Sequence, residues 1–261
     1  MRKLKHTLRT LATLCAAGIL MVTMPPAPAS AAEINALSAG AVTEVMTHLA
    51  KDFLAETGNT IKFSFAPVGT VLGKMAAGET GDIIILTDKA INDLVTKGKI
   101  VPESVVEIGK VGIGVAIREG APAIDISTVE SFRQSLLNAK SLVYADPAKG
   151  ASSGIYFAGL LQRIGIADAV KDKTSLQPGG YVVELVAQGK AEIGIHQITE
   201  ILPVKGVSLI GPLPAELQNI TTYSAGIMTT AVSPEIAKAF LDYATSPQTA
   251  PLFKELGFGR F

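Results

Sequence analysis

The feature that most constrains this sequence is a regular alternation of strand-like and helix-like segments. In the first helix-like segment, residues 42–56, the apolar Val45 and Leu49 lie one turn apart, and Gly58 ends the pattern. Strands that alternate with helices of this length predict βαβ units and mostly parallel sheets. The predicted strands span residues 34–37, 61–65, 82–86, 111–117, 142–145, 192–196 and 221–228. The predicted helices span residues 42–56, 71–77, 90–97, 128–138, 154–164, 181–188 and 234–245.

A second series of the same kind begins after the strand at residues 111–117. Two series in one chain predict an α/β fold with two lobes and a crevice between them. In open α/β sheets, ligands bind at the carboxyl ends of the strands, where helix N-termini direct their N–H groups. The stretch from Gly211 to Pro214 is predicted to be a loop.

Residues 1–31 have the three parts of a secretory signal peptide. Basic residues come first, an apolar stretch follows over residues 11–24, and residues 29–31, Ala-Ser-Ala, form the cleavage motif. The alternative is a membrane anchor, but the apolar stretch is shorter than the roughly 20 residues that a span needs. We therefore predict cleavage after Ala31, a periplasmic location, and no stable membrane insertion afterwards.

Cysteine and charge content argue against several functions. The one cysteine, Cys15, lies inside the apolar stretch, whereas a lipoprotein cysteine would lie at its end. The mature part therefore has no disulfide and no thiol nucleophile. The chain has 23 basic and 23 acidic residues, and four of the basic ones lie in the signal segment, so the mature protein is mildly acidic. Without a basic run, nucleic acid and anionic membranes are poor candidate partners.

Small and hydroxyl-bearing residues follow two predicted strands. Ser38 and Gly40 follow the first, where backbone N–H groups can approach an anion and the Ser38 hydroxyl adds a donor. Residues 149–154, Lys-Gly-Ala-Ser-Ser-Gly, follow the strand at residues 142–145 and supply two hydroxyls, Ser152 and Ser153, and the cation of Lys149. The alternative in both places is a helix N-cap, formed by Ser38 or by one of the two later serines. The second segment lacks the spacing of a nucleotide-binding loop.

Two later positions could contact a ligand. Gly179 and Gly180 could expose amides beside the Tyr181 hydroxyl, although a plain turn with Tyr181 half-buried explains the pattern equally. His196, before Gln197 at a strand end, could donate to an anion or transfer a proton. A lone histidine there is more often structural. With no second histidine or cysteine at ligand spacing, the sequence predicts no metal and no cofactor.

Five short motifs occur in a fixed order along the chain. They are Leu-Ser-Ala-Gly at 37–40, Phe-Ala-Pro-Val-Gly-Thr at 65–70, Gly-Asp-Ile-Ile at 81–84, Asp-Pro-Ala at 146–148 with a following Ser-Ser-Gly, and Ala-Glu-Ile-Gly-Ile at 191–195. In this order they resemble the periplasmic molybdate-binding proteins of ABC transporters, a branch of the type II periplasmic binding fold. The resemblance implies lobe I at residues 33–113 plus 220–261, lobe II at residues 114–219, two hinge crossings and an ABC-type permease as partner.

The pocket residues of that family are matched unevenly. Ser38 matches the hydroxyl-bearing residue after the first strand. In place of a serine-rich turn after the second strand, this chain has Gly69 and Thr70, of which only Thr70 carries a hydroxyl. Gln197 stands where a tyrosine is typical. These departures argue against molybdate itself.

Two further segments carry a second resemblance. Residues 109–122 run from Gly-Lys to Val-Ala-Ile-Arg-Glu-Gly-Ala-Pro, and residues 194–200 follow the pattern Gly-x-x-Gln-x-x-Glu. Both resemble a smaller offshoot of the family that includes bacterial aconitate isomerase. That likeness implies a cofactor-free allylic proton shift in an unsaturated tricarboxylate, with His196 and Tyr181 as candidate catalytic groups. A trianion site should contain more cations than Lys149 and two less well placed basic residues, so the isomerase is the second hypothesis.

The leading hypothesis is a monomeric periplasmic solute-binding protein that captures a small anion, an organic di- or tricarboxylate, and closes about its hinge. A molybdate or tungstate transport component is the third hypothesis. Hydroxyl and backbone donors dominate the expected site and bind an anion without the burial of many full charges. The expected ligand-binding residues are Ser38, Gly40, Gly69, Thr70, Lys149, Ser152, Ser153, Tyr181 and Gln197.

Overall fold

The computed structural model describes residues 31–259, so the predicted signal segment lies outside the described residues apart from Ala31. The strands are β1 Glu33–Ala39, β2 Thr60–Ala66, β3 Ile83–Thr87, β4 Val106–Val111, β5 Ile113–Arg118, β6 Leu142–Ala145, β7 Thr174–Gln177, β8 Ile193–Gln197, β9 Val207–Pro212 and β10 Thr221–Ile227. The helices are α1 Thr43–Thr57, α2 Val68–Ala76, α3 Asp88–Thr96, α4 Val129–Asn138, α5 Ser152–Arg163, α6 Ala167–Lys171, α7 Glu184–Ala187, α8 Ile198–Ile201, α9 Pro234–Ala244 and α10 Ala250–Glu255. Within this range, no helix combines the length and the apolar character that a membrane span requires.

The strands form two five-stranded sheets, in the orders β2-β1-β3-β10-β4 and β7-β6-β8-β5-β9. The chain passes from the first sheet to the second between Val111 and Ile113, and it returns between Pro212 and Thr221. We call the part built on the first sheet lobe I and the part built on the second sheet lobe II. The two-lobed α/β fold predicted from the alternation is confirmed.

Each lobe has its own apolar core. In lobe I, β3 lies at the centre of the sheet, and its residues Ile83 to Leu86 are all fully buried, as is typical of a strand covered on both faces. In lobe II the two faces of the sheet carry separate clusters, because successive side chains of a strand point to opposite sides. Thus Leu142 and Tyr144 pack on one face of β6, and Val143 and Ala145 pack on the other.

Several sequence-based boundaries are wrong. The single strand predicted at residues 111–117 is two strands, β4 and β5, which belong to different sheets and are separated only by Gly112. The predicted loop at Gly211–Pro214 overlaps β9, an edge strand, where Pro212 is tolerated at the strand end. The helix predicted at residues 181–188 shortens to α7.

In each sheet four of the five strands run in one direction, as predicted for mostly parallel sheets, and one strand runs against them. In lobe I, β1 is parallel to β2 and β3, but β10 is antiparallel to both of its neighbours. In lobe II, β6 is parallel to β7 and β8, but β5 is antiparallel to β8 and β9. The antiparallel strands are the two that follow the crossings between lobes. Their N-terminal ends therefore meet the carboxyl ends of the parallel strands at the same edge of each sheet.

Candidate functional site

A cavity of about 210 Å³ lies between the lobes, where the edges that carry the strand ends face each other. Lobe I contributes the turn after β1, the turn after β2, and Tyr223 near the start of β10. Lobe II contributes the first turn of α5, the loop at residues 179–181, His196 at the end of β8, and Glu200 in α8. The cavity is thus at the carboxyl ends of the parallel strands, as predicted for a ligand site in such sheets.

His196 is buried, and both of its ring nitrogens have partners. Nδ1 lies 3.1 Å from the hydroxyl oxygen of Ser153. Nε2 lies 2.9 Å from the backbone oxygen of Gly180 and 3.4 Å from Oε1 of Glu200. Because a carbonyl oxygen only accepts, Nε2 carries a hydrogen, and in the neutral ring Nδ1 accepts a hydrogen bond from Ser153.

Glu200 brings a buried carboxyl group to the cavity wall, with only 6% of the residue exposed. Burial raises the pKa of this carboxyl, and nearby His196 opposes the rise. Oε1 also lies against the turn after β1, because a Cβ atom at position 40 would be 2.8 Å from it. Glycine at position 40 therefore lets the carboxyl group of lobe II approach the backbone of lobe I.

Ser152, Gln197 and Tyr223 form a polar cluster across the two lobes. The Ser152 hydroxyl lies 3.0 Å from the Tyr223 hydroxyl. The Gln197 amide nitrogen lies 3.3 Å from both of these oxygens and 3.4 Å from the Thr221 hydroxyl, while its amide oxygen is buried without a partner among the described residues. Burial raises the pKa of Tyr223, as does the carboxyl of Glu200, so this phenol stays protonated and can donate.

Tyr181 and Glu44 make a second contact between the lobes. The Tyr181 hydroxyl donates to the carboxylate of Glu44, which lies in the first turn of α1. Burial raises the pKa of Tyr181, and the hydrogen bond to Glu44 raises it further. The phenol is therefore a donor and not a base near neutral pH.

Backbone contacts join the two lobes at one side of the cavity. The amide of Gly69 in α2 donates to the backbone oxygen of Gly150 over 3.1 Å. A Cβ atom at position 69 would lie 2.7 Å from Cα of Gly150, and one at position 150 would lie 2.4 Å from Cα of Gly69. Gly179 similarly packs against the ring of Pro67. Only glycines allow these surfaces to meet.

The structure sorts the sequence-predicted site residues into three groups. Gly40, Ser152, Ser153, Tyr181 and His196 line the cavity. Ser38 and Gln197 are fully buried, adjacent in sequence to lining residues but outside the lining itself. Gly69, Thr70 and Lys149 lie at the contact between lobes, where the Thr70 hydroxyl donates to the Lys149 backbone oxygen over 3.3 Å. Lys149 is exposed, and its side chain is not part of the lining.

The alternative roles as N-caps are wrong. Ala39 precedes the first helical turn after β1, and Ala151 precedes α5, with no side-chain cap at either position. Ser38 instead lies within β1, one residue before its end, and both later serines are already helical. The two α5 serines are thus available for contacts within the cleft.

Sequence reasoning did not assign a role to Glu44, Glu200 or Tyr223. Glu200 had a detectable signal, since it is the one charged residue in an otherwise uncharged segment, and it follows His196 by four residues. Tyr223 lies in an ordinary strand and had no signal. Within residues 31–259, no group of three His, Cys, Asp or Glu side chains is arranged to hold a metal ion.

Two α/β lobes that are joined by two crossings and share a cavity at the carboxyl ends of their parallel strands define a solute-binding protein. The chain belongs to the bacterial extracellular solute-binding protein family, whose model matches residues 34–259. This match confirms the sequence resemblance to the periplasmic binding proteins.

Two curated relatives and one solved structure support this assignment. The chain is 29% identical to the aconitate isomerase of a Pseudomonas species over 254 residues, which cover 95% of each protein. It is 27% identical to the molybdate-binding protein ModA of Escherichia coli strain K12, over 87% of this chain and 88% of that protein. The periplasmic molybdate-binding protein of Azotobacter vinelandii has the same fold, with a TM-score of 0.73 and 17% identity, over 86% of this chain and 98% of the other.

Proposed function

We propose that this protein captures a small organic carboxylate in the cavity between its lobes and delivers it from the periplasm to an ABC-type permease. The observation that carries the proposal is the two-sided lining of the cavity. The hydroxyls of Ser152, Ser153 and Tyr181 and the imidazole of His196 lie on the lobe II side. The end of β2 and the turn after it contribute apolar residues, among them Phe65 and Pro67.

This lining suits a carboxylate for two physical reasons. Hydrogen bonds to a charged group are worth about 1.5–3 kcal/mol each, so a few neutral hydroxyls can hold an anion without a buried cation. An apolar wall matches the carbon skeleton of an organic acid better than it matches a tetrahedral oxyanion, whose whole surface is polar. The cavity volume of about 210 Å³ is below the roughly 300 Å³ at which drug-sized sites begin, which favours a compact ligand.

The relatives support the transport role. The molybdate-binding protein ModA is named for anion binding, and it matches most of this chain. We infer the periplasmic location and the permease partner from this kinship. The three-part pattern of residues 1–31 supports export independently.

A ligand screen tests the proposal. Protein purified without the first 31 residues is melted in the presence of di- and tricarboxylates, molybdate, tungstate and sulfate, and each hit is measured by calorimetry. We expect a carboxylate to raise the melting temperature, because a ligand that binds only the folded state stabilises it by mass action. Stabilisation by molybdate and tungstate but by no carboxylate would contradict the carboxylate assignment.

One observation favours a second candidate function, an isomerase. Glu200 places a carboxyl group of raised pKa on the wall of the cavity, beside His196, where it can act as a general base. The named activity of the Pseudomonas relative, which matches 95% of this chain, also supports the isomerase as a candidate function.

The isomerisation needs no cofactor. A base removes a proton from the methylene group beside a carboxylate, and the electrons of that C–H bond delocalise through the neighbouring double bond. Return of the proton to the far carbon shifts the double bond by one position, so atoms and charge balance. Glu200 fits the role of base better than His196, whose two ring nitrogens are both engaged by protein partners.

Conversion of cis-aconitate to its trans isomer, followed by proton NMR, tests this candidate. Turnover that is lost in Glu200→Gln but kept in Glu184→Gln, a change at an exposed position, supports it. Absence of any trans isomer after prolonged incubation with a protein that binds cis-aconitate removes the isomerase from consideration.

A further inference from the structure

Glu200 is unusual in its position for a group that lines an anion site. Its carboxyl group is buried in the lobe II wall, on a helical turn whose other three residues, Ile198, Thr199 and Ile201, are also buried. No lysine or arginine is among the described residues that line the cavity. The carboxyl group therefore has no full positive charge beside it except the one that His196 can carry.

His196 satisfies Glu200 only in part. The single hydrogen on Nε2 is directed at the Gly180 backbone oxygen, 2.9 Å away, while Oε1 of Glu200 lies within ion-pair distance of Nε2 at 3.4 Å. The shorter contact is the better hydrogen bond, since N–H···O bonds are most often 2.9–3.0 Å long. Among residues 31–259, His196 is the only hydrogen-bonding or ion-pairing partner of Glu200. A carboxylate can accept about four hydrogen bonds, so most of its acceptor capacity is unused by the protein.

The carboxyl group with this unused capacity belongs to the wall of the cavity in which an anion would bind. Glu200 lines the same cavity as Ser152, Ser153 and Tyr181, and its Oε1 lies against Gly40 in the turn after β1. An anion held by these donors would lie near the carboxylate in a site of low dielectric. When Glu200 is ionised, an anion without an O–H group would then be repelled, whereas an anion with an O–H group could donate a charge-assisted hydrogen bond to it.

We propose that Glu200 makes the cleft selective for anions that carry a hydrogen-bond donor, such as a hydroxycarboxylate or a monohydrogen oxyanion, over donor-free anions of the same size and charge. The inference rests on the proposed function, since it names the substrate class of that same site. Selectivity arises because a site built to accept a hydrogen bond is left with an unpaired buried acceptor when the ligand lacks the donor.

Two matched pairs of probes test the inference near neutral pH. Malate differs from succinate by one hydroxyl group, and monohydrogen phosphate carries an O–H group that sulfate, a tetrahedral anion of the same charge and similar size, lacks. Calorimetry on the wild-type protein is expected to give at least about tenfold tighter binding of the donor-bearing member in each pair that binds. A wild-type protein that binds both members of a pair equally overturns the inference.

The variant Glu200→Gln tests whether the Glu200 carboxyl group causes the preference for donor-bearing anions. The amide removes the negative charge and adds N–H donors in nearly the same shape, so we expect the preference for the donor-bearing anion to fall by about tenfold or more. Glu184→Gln, on the exposed face of α7, is the matched control and should keep the wild-type preference. An unchanged preference in Glu200→Gln would show that another group of the protein recognises the O–H donor of the anion.

A second variant covers the case in which Glu200→Gln does not fold. In Gly40→Ala, the new Cβ atom would lie 2.8 Å from Oε1 of Glu200, so the carboxyl group must move away while its charge is kept. We expect this displacement also to reduce the preference. Failure of the wild-type protein to bind any of the four probes or any carboxylate of the screen overturns the proposed function itself. That outcome is distinct from binding without a preference, which overturns the selectivity alone.

Discussion

The side-chain amide of Gln218 pairs with both backbone groups of Ile113. Its Oε1 accepts from the Ile113 amide over 2.9 Å, and its Nε2 donates to the Ile113 carbonyl oxygen over 2.9 Å. Gln218 lies on the return crossing from lobe II to lobe I, and Ile113 begins β5, directly after the first crossing. One side chain thus joins the two crossings, so they form a linked pair of segments rather than two independent connections.

Replacement of Gln218 by alanine should loosen this linked pair of segments. The Ile113 amide would lose its partner, and the Ile113 carbonyl oxygen would keep only the Leu213 amide, 3.1 Å away, at a cost of about 1 kcal/mol per hydrogen bond lost. We expect a lowered melting temperature and, in small-angle scattering, a larger radius of gyration from a greater share of open conformers. Gln188→Ala, a change of the same type away from both crossings, is the control. A Gln218→Ala protein as compact and as stable as the wild type would show that the pairing is incidental.

The double change Ser152→Ala, Ser153→Ala should weaken binding far more than folding. Each serine supplies a hydroxyl at the cavity wall, and loss of one or two hydrogen bonds to an anion should weaken binding by roughly tenfold to several thousandfold. Neither serine caps α5, so the helix start does not depend on them. Calorimetry with a screened ligand and a thermal melt measure the two effects. Ser208→Ala on β9, outside the cavity lining, serves as the control.

Unchanged affinity in the double variant, together with a clearly lowered melting temperature, would contradict the proposed placement of the site. The two serines would then serve only the packing of α5. Their contacts with Tyr223 and with His196 would be structural links between elements.

Gly69→Ala and Gly73→Ala form a matched pair on one helix. Both positions lie in α2, but a Cβ atom at position 69 would lie 2.7 Å from Gly150, whereas one at position 73 meets nothing within 4 Å. We expect Gly69→Ala to hold the lobes apart, to accelerate ligand release and to weaken binding. Gly73→Ala should bind as the wild type does and gain up to about 1 kcal/mol of stability from the better helix propensity of alanine. Equal affinities in the two variants would contradict a closing role for the glycine contact.

Glu200 should make stability depend on pH in a predictable direction. Its pKa is raised in the folded protein by burial, so the folded state binds the proton more tightly than the unfolded chain does. The resulting stabilisation is fully present below about pH 4, where an unfolded glutamate is protonated, and it is lost as pH rises through the raised value. Wild type and Glu200→Gln should therefore be similarly stable at low pH, and the variant should become the more stable of the two at neutral pH. Urea unfolding across this pH range measures the free energy of unfolding of both proteins. A difference between the two free energies that does not change with pH would contradict the prediction.

The fold could be predicted from the sequence wherever a segment is short, apolar and fully buried. Strands β3, β6 and β8 are of this kind, and their predicted spans agree with the structure to within one residue. Strand β9 was missed because it lies at a sheet edge, is only partly buried and ends in proline. The boundary between β4 and β5 was missed because both strands are apolar near Gly112, and local pattern does not reveal a change of sheet.

The site could be predicted only where one local segment carries the signal. Ser152 and Ser153 stand out in a Gly/Ser turn after a strand, and the structure places both on the cavity wall. The Tyr223 hydroxyl contacts the Ser152 hydroxyl, although 71 residues separate them in sequence. This contact depends on the antiparallel return of β10, which no local pattern encodes. Glu44 was missed for the same reason, since its partner Tyr181 comes from the other lobe.

A cavity wall without lysine or arginine has a consequence for the speed of capture. Long-range attraction requires a net field of opposite sign, and it speeds association most at low ionic strength. Here the described lining residues present dipoles, whose electric field falls off over a short distance, and the chain beyond residue 31 is slightly acidic. An anion would thus arrive by unassisted diffusion, and added salt would leave its association rate unchanged or raise it slightly. Capture by such a cavity would therefore work about equally well in dilute and in salty surroundings.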